Sequence, residues 1–554
     1  MRKTIGAASG SARAVSGLGR GTSRTGARAR AWGGILVLLA MMAAAAPARA
    51  VVYSQYTYER VMVPMRDDVR LSVDIWRPVT PADVRVPVIL TLSPYHILSK
   101  ALDRGETDPP APWGSRFVPR GYAYVVADVR GTYNSGGCWD YGGIKERQDG
   151  YDLVEWLGGV MTDGEPSPAA AWSNGRVGMI GASYDGTTAN AAAIEQPPHL
   201  ATIVPISAIS RWWGYAYQQG ARSTYSGESA DIDPPSDTPA DFMTVYGVVP
   251  PYDRQEAIDG WVPRFTPCDR VEQTIHGYDP EPDYDEFWVE RDYLRLAERV
   301  QVPVLVAHGF LDFNVKTWEG TAWFQALPGE KMLVAGQWPH ALPVYSSWVT
   351  LLDRWFERWL YEVPNGVEDE PAVRVAANTG GFREQETWGD GELLELPLEG
   401  EPVTFLDDGL LTESEMLRGI GAERYARLVV PGSEGLAIEG RAVLDLHATS
   451  DSASTHLIGI MCDVGPTGAC TVISRAFLNA RYADSLSSGT DLTPGEQRSF
   501  RLEFIDKDWQ LAPDHHLEVI VASSSLTWVA SDQARARNTI YPASSTLEVP
   551  LRAG

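Results

Sequence analysis

Residues 51 to 368 predict an α/β fold built on a doubly wound, mostly parallel sheet with a helical cap insertion, and residues 369 to 554 predict a separate all-β sandwich. Short apolar strands alternate with helix-patterned stretches up to about Pro364, whereas beyond about Pro371 helical pattern nearly vanishes. Between Ser210 and Arg299 the strand rhythm stops, and an insertion of that length inside an α/β fold reads as a cap rather than a loop.

Ahead of the first strand, the leading 50 residues carry eight Lys or Arg and no Asp or Glu, then an apolar run from Trp32 to Ala46 and Ala48-Arg49-Ala50. This predicts a signal peptide cleaved before Val51 and an exported protein, secreted or held in the periplasm or cell envelope. The run is short of the roughly 20 residues a membrane span needs, so no membrane association is expected after cleavage.

The strands of the first domain are read at Arg60 to Pro64, Arg70 to Trp76, Pro87 to Leu92, Tyr122 to Ala127, Val177 to Ile180, Thr202 to Ile206, Pro303 to Ala307 and Lys331 to Ala335. Helices are read at Lys145 to Leu157, Val315 to Gln325 and Ser346 to Tyr361. The insertion, residues 210 to 299, is rich in Trp, Tyr and Pro and includes an acidic helical stretch from Tyr284 to Arg299. It divides the α/β domain into residues 51 to 209 and 300 to 368. Short strands such as Val443 to Leu446, Leu457 to Met461, Ser499 to Phe504 and Leu517 to Ala522 define the β domain.

Composition narrows the function classes. Apolar residues make up 44% of the chain, enough for large cores, so the protein is not disordered. Its net charge of −25, more negative still without the basic leader, argues against nucleic acid as a partner. Four cysteines in an exported chain permit disulfides. Cys462 and Cys470 flank the turn-rich DVGPTGA and can clip a hairpin, and Cys138 and Cys268 form the second candidate pair. Neither C-x-x-C nor H-E-x-x-H occurs, and no metal or cofactor is expected.

The stretch VGMIGASYDGTTANAAA, residues 177 to 193, places Ser183 on a strand-to-helix turn. That is the setting of a nucleophile elbow, which lifts a serine hydroxyl above the sheet and aims the N–H of the next residue, Tyr184, at a developing oxyanion. The usual pattern is G-x-S-x-G, but here Asp185 stands where the second glycine belongs and Gly186 follows it. A serine nucleophile needs an imidazole and a carboxylate, which follow it in the order Ser, Asp, His in this kind of sheet. Of His199, His276, His308 and His340, only His340 lies just beyond a strand in a loop at the sheet's carboxyl edge. Asp312 occupies the preceding strand-end loop, where it also suits a helix N-cap.

VMVPMRDDVRLSVDIWRP, LTLSPYH, GYAYVVADVRGTYNSGG, ERQDGYDLVEWL, GASYDG, PPHLATIVPISA and HGFLDFNVK, in this order, resemble the X-prolyl dipeptidyl-peptidase and cocaine-esterase-like (CocE/NonD) serine hydrolases. ARYADS, LTPGE and HHLEVIVASSS extend the likeness into that family's C-terminal jelly roll. The resemblance implies an α/β-hydrolase fold, with Ser183 as nucleophile, Asp312 orienting the imidazole and His340 as general base and acid. It also implies that Tyr95, from the S/T-P-Y motif, joins the Tyr184 N–H in the oxyanion hole. The family's G-x-S-Y-x-G elbow matches the displaced glycine. Asp128, Arg130, Glu146 and Asp149 are expected to fix the loops beneath the site.

D-F-N-V-K at Asp312 to Lys316 is closer to the D-W-N-V-K of X-prolyl dipeptidyl-peptidases than to cocaine esterase, and the likeness puts Asn314 near the substrate backbone. The α-amino ester hydrolases carry acidic residues just after this aspartate, whereas here stand Phe313, Asn314 and Val315. The expected substrate is therefore a peptide with a penultimate proline, with a small ester or amide as the alternative. A non-catalytic carbohydrate-binding protein is a remote third reading. Trp212, Trp213 and Tyr215 suit either a proline pocket or the core. Glu228, Asp231 and Asp285 are candidates to bind a substrate ammonium, and a homodimer is a candidate assembly.

Overall fold

The computed structural model of the chain describes residues 52–95, 107–223, 282–407, 409–529 and 535–553. The expected leader lies outside these residues. No helix among the described residues is long and apolar enough to cross a membrane.

Ten strands form the main sheet: β1 (Tyr56–Pro64), β2 (Arg70–Pro78), β3 (Val86–Ser93), β4 (Ala123–Asp128), β5 (Ser173–Ala182), β6 (Leu200–Ile206), β9 (Val304–Gly309), β10 (Lys331–Gly336), β11 (Val373–Ala376) and β12 (Phe382–Gln385). The order is β1-β2-β4-β3-β5-β6-β9-β10-β11-β12, with β7 (Tyr217–Gln218) and β8 (Ala221–Arg222) making a separate short hairpin. From β4 through β3 to β11 every pairing is parallel, while β1, β2 and β12 are antiparallel edges. Both faces are covered, which explains why the central strands read as unbroken apolar runs rather than alternating ones. All eight residues of β3 are buried. One apolar cluster packs the sheet with residues of Ile144–Gly158, Tyr184–Ile194 and Trp318–Ala326, and another packs it with Trp348, Trp355 and Phe356 of the helix Ser346–Leu360.

Two expectations change. The strands at Val373–Ala376 and Phe382–Gln385 belong to this sheet, although the sequence reading placed them in the β domain. The helix Ser346–Leu360 acts as a crossover that returns the chain parallel to β10, burying Val373 and Val375. The acidic stretch read as one helix from Tyr284 to Arg299 is a helix at Glu286–Glu290 followed by a 3-10 turn at Tyr293–Arg299. It breaks because the N–H groups of Tyr293 and Leu294 bond to Ser210 O, at 2.9 and 3.2 Å, instead of continuing the helix.

Beyond this sheet the chain builds a six-stranded and a four-stranded antiparallel sheet around a common apolar core. Cys462 and Cys470 are disulfide-bonded, with Cα atoms 5.1 Å apart, across the hairpin of His456–Val464 and Cys470–Asn479. Cys138 is not a free thiol, and Cys268 lies outside the described residues, as does the insertion between 224 and 281.

Candidate active site

β5 runs directly into the helix Tyr184–Ile194, and Ser183 makes the turn with φ 61° and ψ −128°. A non-glycine residue held at positive φ stores strain that the surrounding bonds must offset. Ser183 N donates to Ile206 O at 2.8 Å, while Ser183 O accepts from Gly186 N and Thr187 N at 3.0 and 2.9 Å. The displaced glycine has a steric reason. A Cβ on Gly186 would sit 2.8 Å from Gly181 O and 3.0 Å from Ile206 N, so the helix can lie this close to β5 and β6 only with glycine there.

Tyr95, just past β3, donates its phenol to Ser183 Oγ at 3.0 Å and accepts from Tyr184 N at 3.1 Å. The phenol thus links the Tyr184 amide to the serine oxygen. Below them, Tyr184 OH donates to Glu146 Oε2 at 2.7 Å and accepts from Trp139 Nε1 at 3.0 Å. Burial, with Asp140 nearby, pushes Glu146 up to about 8. Arg130 forks onto Asp149 with both bonds at 2.6 Å and reaches Asp67 at 3.0 Å, tying down the loop after β4.

At the next strand ends, His340 Nδ1 meets Asp312 Oδ2 at 2.7 Å. Asp312 is not the N-cap of the following helix, which begins at Trp318 behind Thr317; it caps the preceding turn. Its Oδ1 accepts from Asn314 N and Val315 N at 3.1 and 2.9 Å, capping the turn before Trp318–Ala326, while Oδ2 holds the imidazole. Burial alone would raise the Asp312 pKa, but the opposing charge of His340 and hydrogen bonds from His308 and His340 hold it well below the ordinary carboxylate range. His308, the rival histidine, is fully buried, with Nε2 on Val315 O at 2.8 Å and 3.5 Å from Asp312 Oδ2. Only His340 of the two keeps access to solvent, with 22% of its side chain exposed.

The aromatic candidates separate. Trp212 and Trp213 are core residues, as their alternative reading had it: Trp212 packs edge-on to Tyr184 at 5.1 Å, and Trp213 Nε1 donates to Pro282 O at 2.9 Å. Tyr215 is also buried, but its hydroxyl reaches Asn314 Oδ1 at 3.0 Å. Asp285 is taken up as the N-cap of Glu286–Glu290, and Glu228 and Asp231 lie outside the described residues. Two buried lysines escaped the sequence reading. Lys316 donates to Tyr215 O and Ser223 Oγ at 2.7 and 3.0 Å, and Lys507 comes from the β domain to the Asp312 loop. Neither Lys316 in its turn nor Lys507 at the start of a strand of mixed polarity carries a sequence signal of burial.

A doubly wound sheet with a serine elbow at the carboxyl end of a central strand defines an α/β hydrolase. Comparison with known proteins makes the class specific: residues 67–342 match the model of the X-Pro dipeptidyl-peptidase (S15) family, and residues 430–549 match the X-Pro dipeptidyl-peptidase C-terminal non-catalytic domain. The chain belongs to this peptidase S15 family of hydrolases. A Bacillus cereus protein assigned as an Xaa-Pro dipeptidyl-peptidase is 26% identical over 525 residues, covering 87% of each chain. A Streptomyces avermitilis protein with the same assignment is 27% identical over 573 residues, covering 88% of this chain and 81% of that one. Among solved structures, a Staphylococcus aureus CocE/NonD family hydrolase shares the fold with a TM-score of 0.72 and 18% identity, covering 90% of this chain and 94% of that chain.

Proposed function

We propose that this protein is a secreted serine peptidase that releases Xaa-Pro dipeptides from peptide N-termini through an acyl-enzyme. The observation that carries the chemistry is the placement of the Tyr95 phenol, which donates to Ser183 Oγ at 3.0 Å and accepts from the Tyr184 N–H at 3.1 Å, so that both groups can turn to a carbonyl oxygen arriving at the serine. Ser183 Oγ attacks the carbonyl carbon of the penultimate proline as His340 Nε2 takes the serine proton. The carbonyl oxygen gains the negative charge and is held by Tyr95 and the Tyr184 N–H. Collapse breaks the C–N bond, and His340 returns the proton to the leaving amine. Water then attacks the dipeptidyl ester by the same route, with Asp312 stabilising the imidazolium in both halves. Asn314, whose Oδ1 is engaged by Tyr215, has its amide N–H groups available for a substrate carbonyl. The Cys462–Cys470 disulfide suits an oxidising compartment.

Tyr95→Phe removes one oxyanion donor and leaves the ring in place. Its kcat is expected to fall about 100- to 1000-fold, a loss of ~3 to 4 kcal/mol in transition-state binding, with little change in thermal midpoint. A fall in kcat of less than about fivefold would remove the phenol from the oxyanion hole.

Substrate choice is tested with Ala-Pro-p-nitroanilide, its N-acetylated form and p-nitrophenyl esters. Ala-Pro-p-nitroanilide is expected to be cleaved. Acetylation cancels the ammonium charge, and a dipeptidyl-peptidase pocket that pairs this charge with a buried carboxylate loses about 2 to 5 kcal/mol, or roughly 30-fold to several thousand-fold in kcat/KM. Rapid ester hydrolysis with an inert Ala-Pro-anilide would instead place the chain in the esterase or acylase branch.

A further inference from the structure

The loop that carries Asp312 is gripped from the β domain. Phe313 has the Arg475 guanidinium 4.1 Å and Lys507 Nζ 4.8 Å from its ring centre, and it tilts against Trp528 at 5.2 Å. Arg475 is satisfied in part by a forked pair with Glu413, at 2.6 and 2.7 Å. Lys507 is different: it is 1% exposed, and its Nζ has no hydrogen-bond acceptor among the described residues. The neighbouring carboxylate, Asp506, is committed to Thr321 Oγ1 at 2.6 Å and Arg441 Nε at 2.8 Å. A cation stripped of water and given mainly an aromatic face is costly, and methionine would fill the same space more favourably. Stability therefore does not account for a lysine here. The strand it opens, Lys507–Gln510, also reaches the His340 loop, because Gln337 Nε2 donates to Asp508 O at 2.9 Å.

We propose that Lys507 is a positioning residue for the Asp312–His340 pair, holding Phe313 and placing a positive charge behind the carboxylate, so that the C-terminal domain completes the active site. This rests on the reading of His340 as general base. The charges facing Lys507 are Arg475 and Asp506 within the β domain and Asp312 across the interface. Asp312 in turn faces His308, His340 and Lys316. Burial, with Arg475 beside it, pushes Lys507 down to about 7 against the pull of Asp312 and Asp506, so its charge is present in the acid range. There a positive charge near Asp312 opposes protonation of His340 and extends activity to lower pH.

The test is the pH profile of kcat/KM in Lys507→Met, Lys507→Arg and Phe313→Leu, with thermal midpoints measured alongside. In Lys507→Met the acid limb is expected to move up by about half a pH unit or more, while the midpoint stays level or rises. Lys507→Arg keeps a cation and returns the limb to the parental pH. Phe313→Leu keeps the charge and removes the ring, so its limb does not move. A Lys507→Met variant that unfolds or loses midpoint with an unmoved limb, or a limb that Lys507→Arg does not restore, overturns the proposal. The base assignment is judged separately: an active His340→Ala sinks that reading, whereas an unmoved limb beside an inactive His340→Ala sinks only the role of Lys507.

Discussion

Ser183→Ala is expected to abolish hydrolysis of peptide and ester substrates alike while the protein stays folded. In the proposed mechanism Ser183 Oγ, bonded to the Tyr95 phenol, is the one nucleophile, and alanine leaves only binding and the oxyanion donors, so turnover is expected to drop by about 10⁶ in kcat. The elbow itself is held by backbone bonds to Ile206, Gly186 and Thr187 that do not involve the hydroxyl. The thermal midpoint should therefore match the parent. Retention of even about a tenth of parental kcat would remove Ser183 from the mechanism.

Asp312→Asn and His340→Ala, made separately, should each lower kcat by about 10³ to 10⁴ or more, and the double variant should be little worse than either. An asparagine amide in place of the carboxylate cannot hold the imidazole in the tautomer that Asp312 selects, and without His340 the serine proton has no acceptor. The two residues meet at 2.7 Å and are expected to act as one unit, so that their losses do not add. His308→Ala is the control. His308 is fully buried and bonded to Val315 O, so its loss should lower the thermal midpoint more than it lowers kcat. If His308→Ala were the more damaging change to kcat, the base would lie at the wrong strand end.

Much of this was legible because the relevant physics is local. A buried parallel strand reads as an apolar run, and β3, β5, β6, β9 and β10 were each readable that way within a residue or two at most ends. The elbow was readable from a strand, a serine and small residues after it, while the reason for glycine at 186 rather than 185 needed the approach of Gly181 O and Ile206 N. Long-range pairing was not legible. Nothing local tells that Tyr293 and Leu294 bond to Ser210, and nothing in V-R-V at 373 to 375 says which sheet it joins. Trp212 and Trp213 could not be told apart from pocket residues by type, since large aromatics serve both purposes. Lys507 left no trace at all, because its burial depends on Phe313, which the chain contributes from the other domain.

The most direct measurement is reaction of the folded enzyme with a fluorophosphonate, followed by intact mass and peptide mapping. One adduct per chain is expected, on the peptide containing Gly181-Ala182-Ser183-Tyr184, with loss of activity in proportion to labelling and no labelling of Ser183→Ala. A fully active enzyme that takes no label, or an adduct on a different residue that accounts for the lost activity, would contradict the serine mechanism.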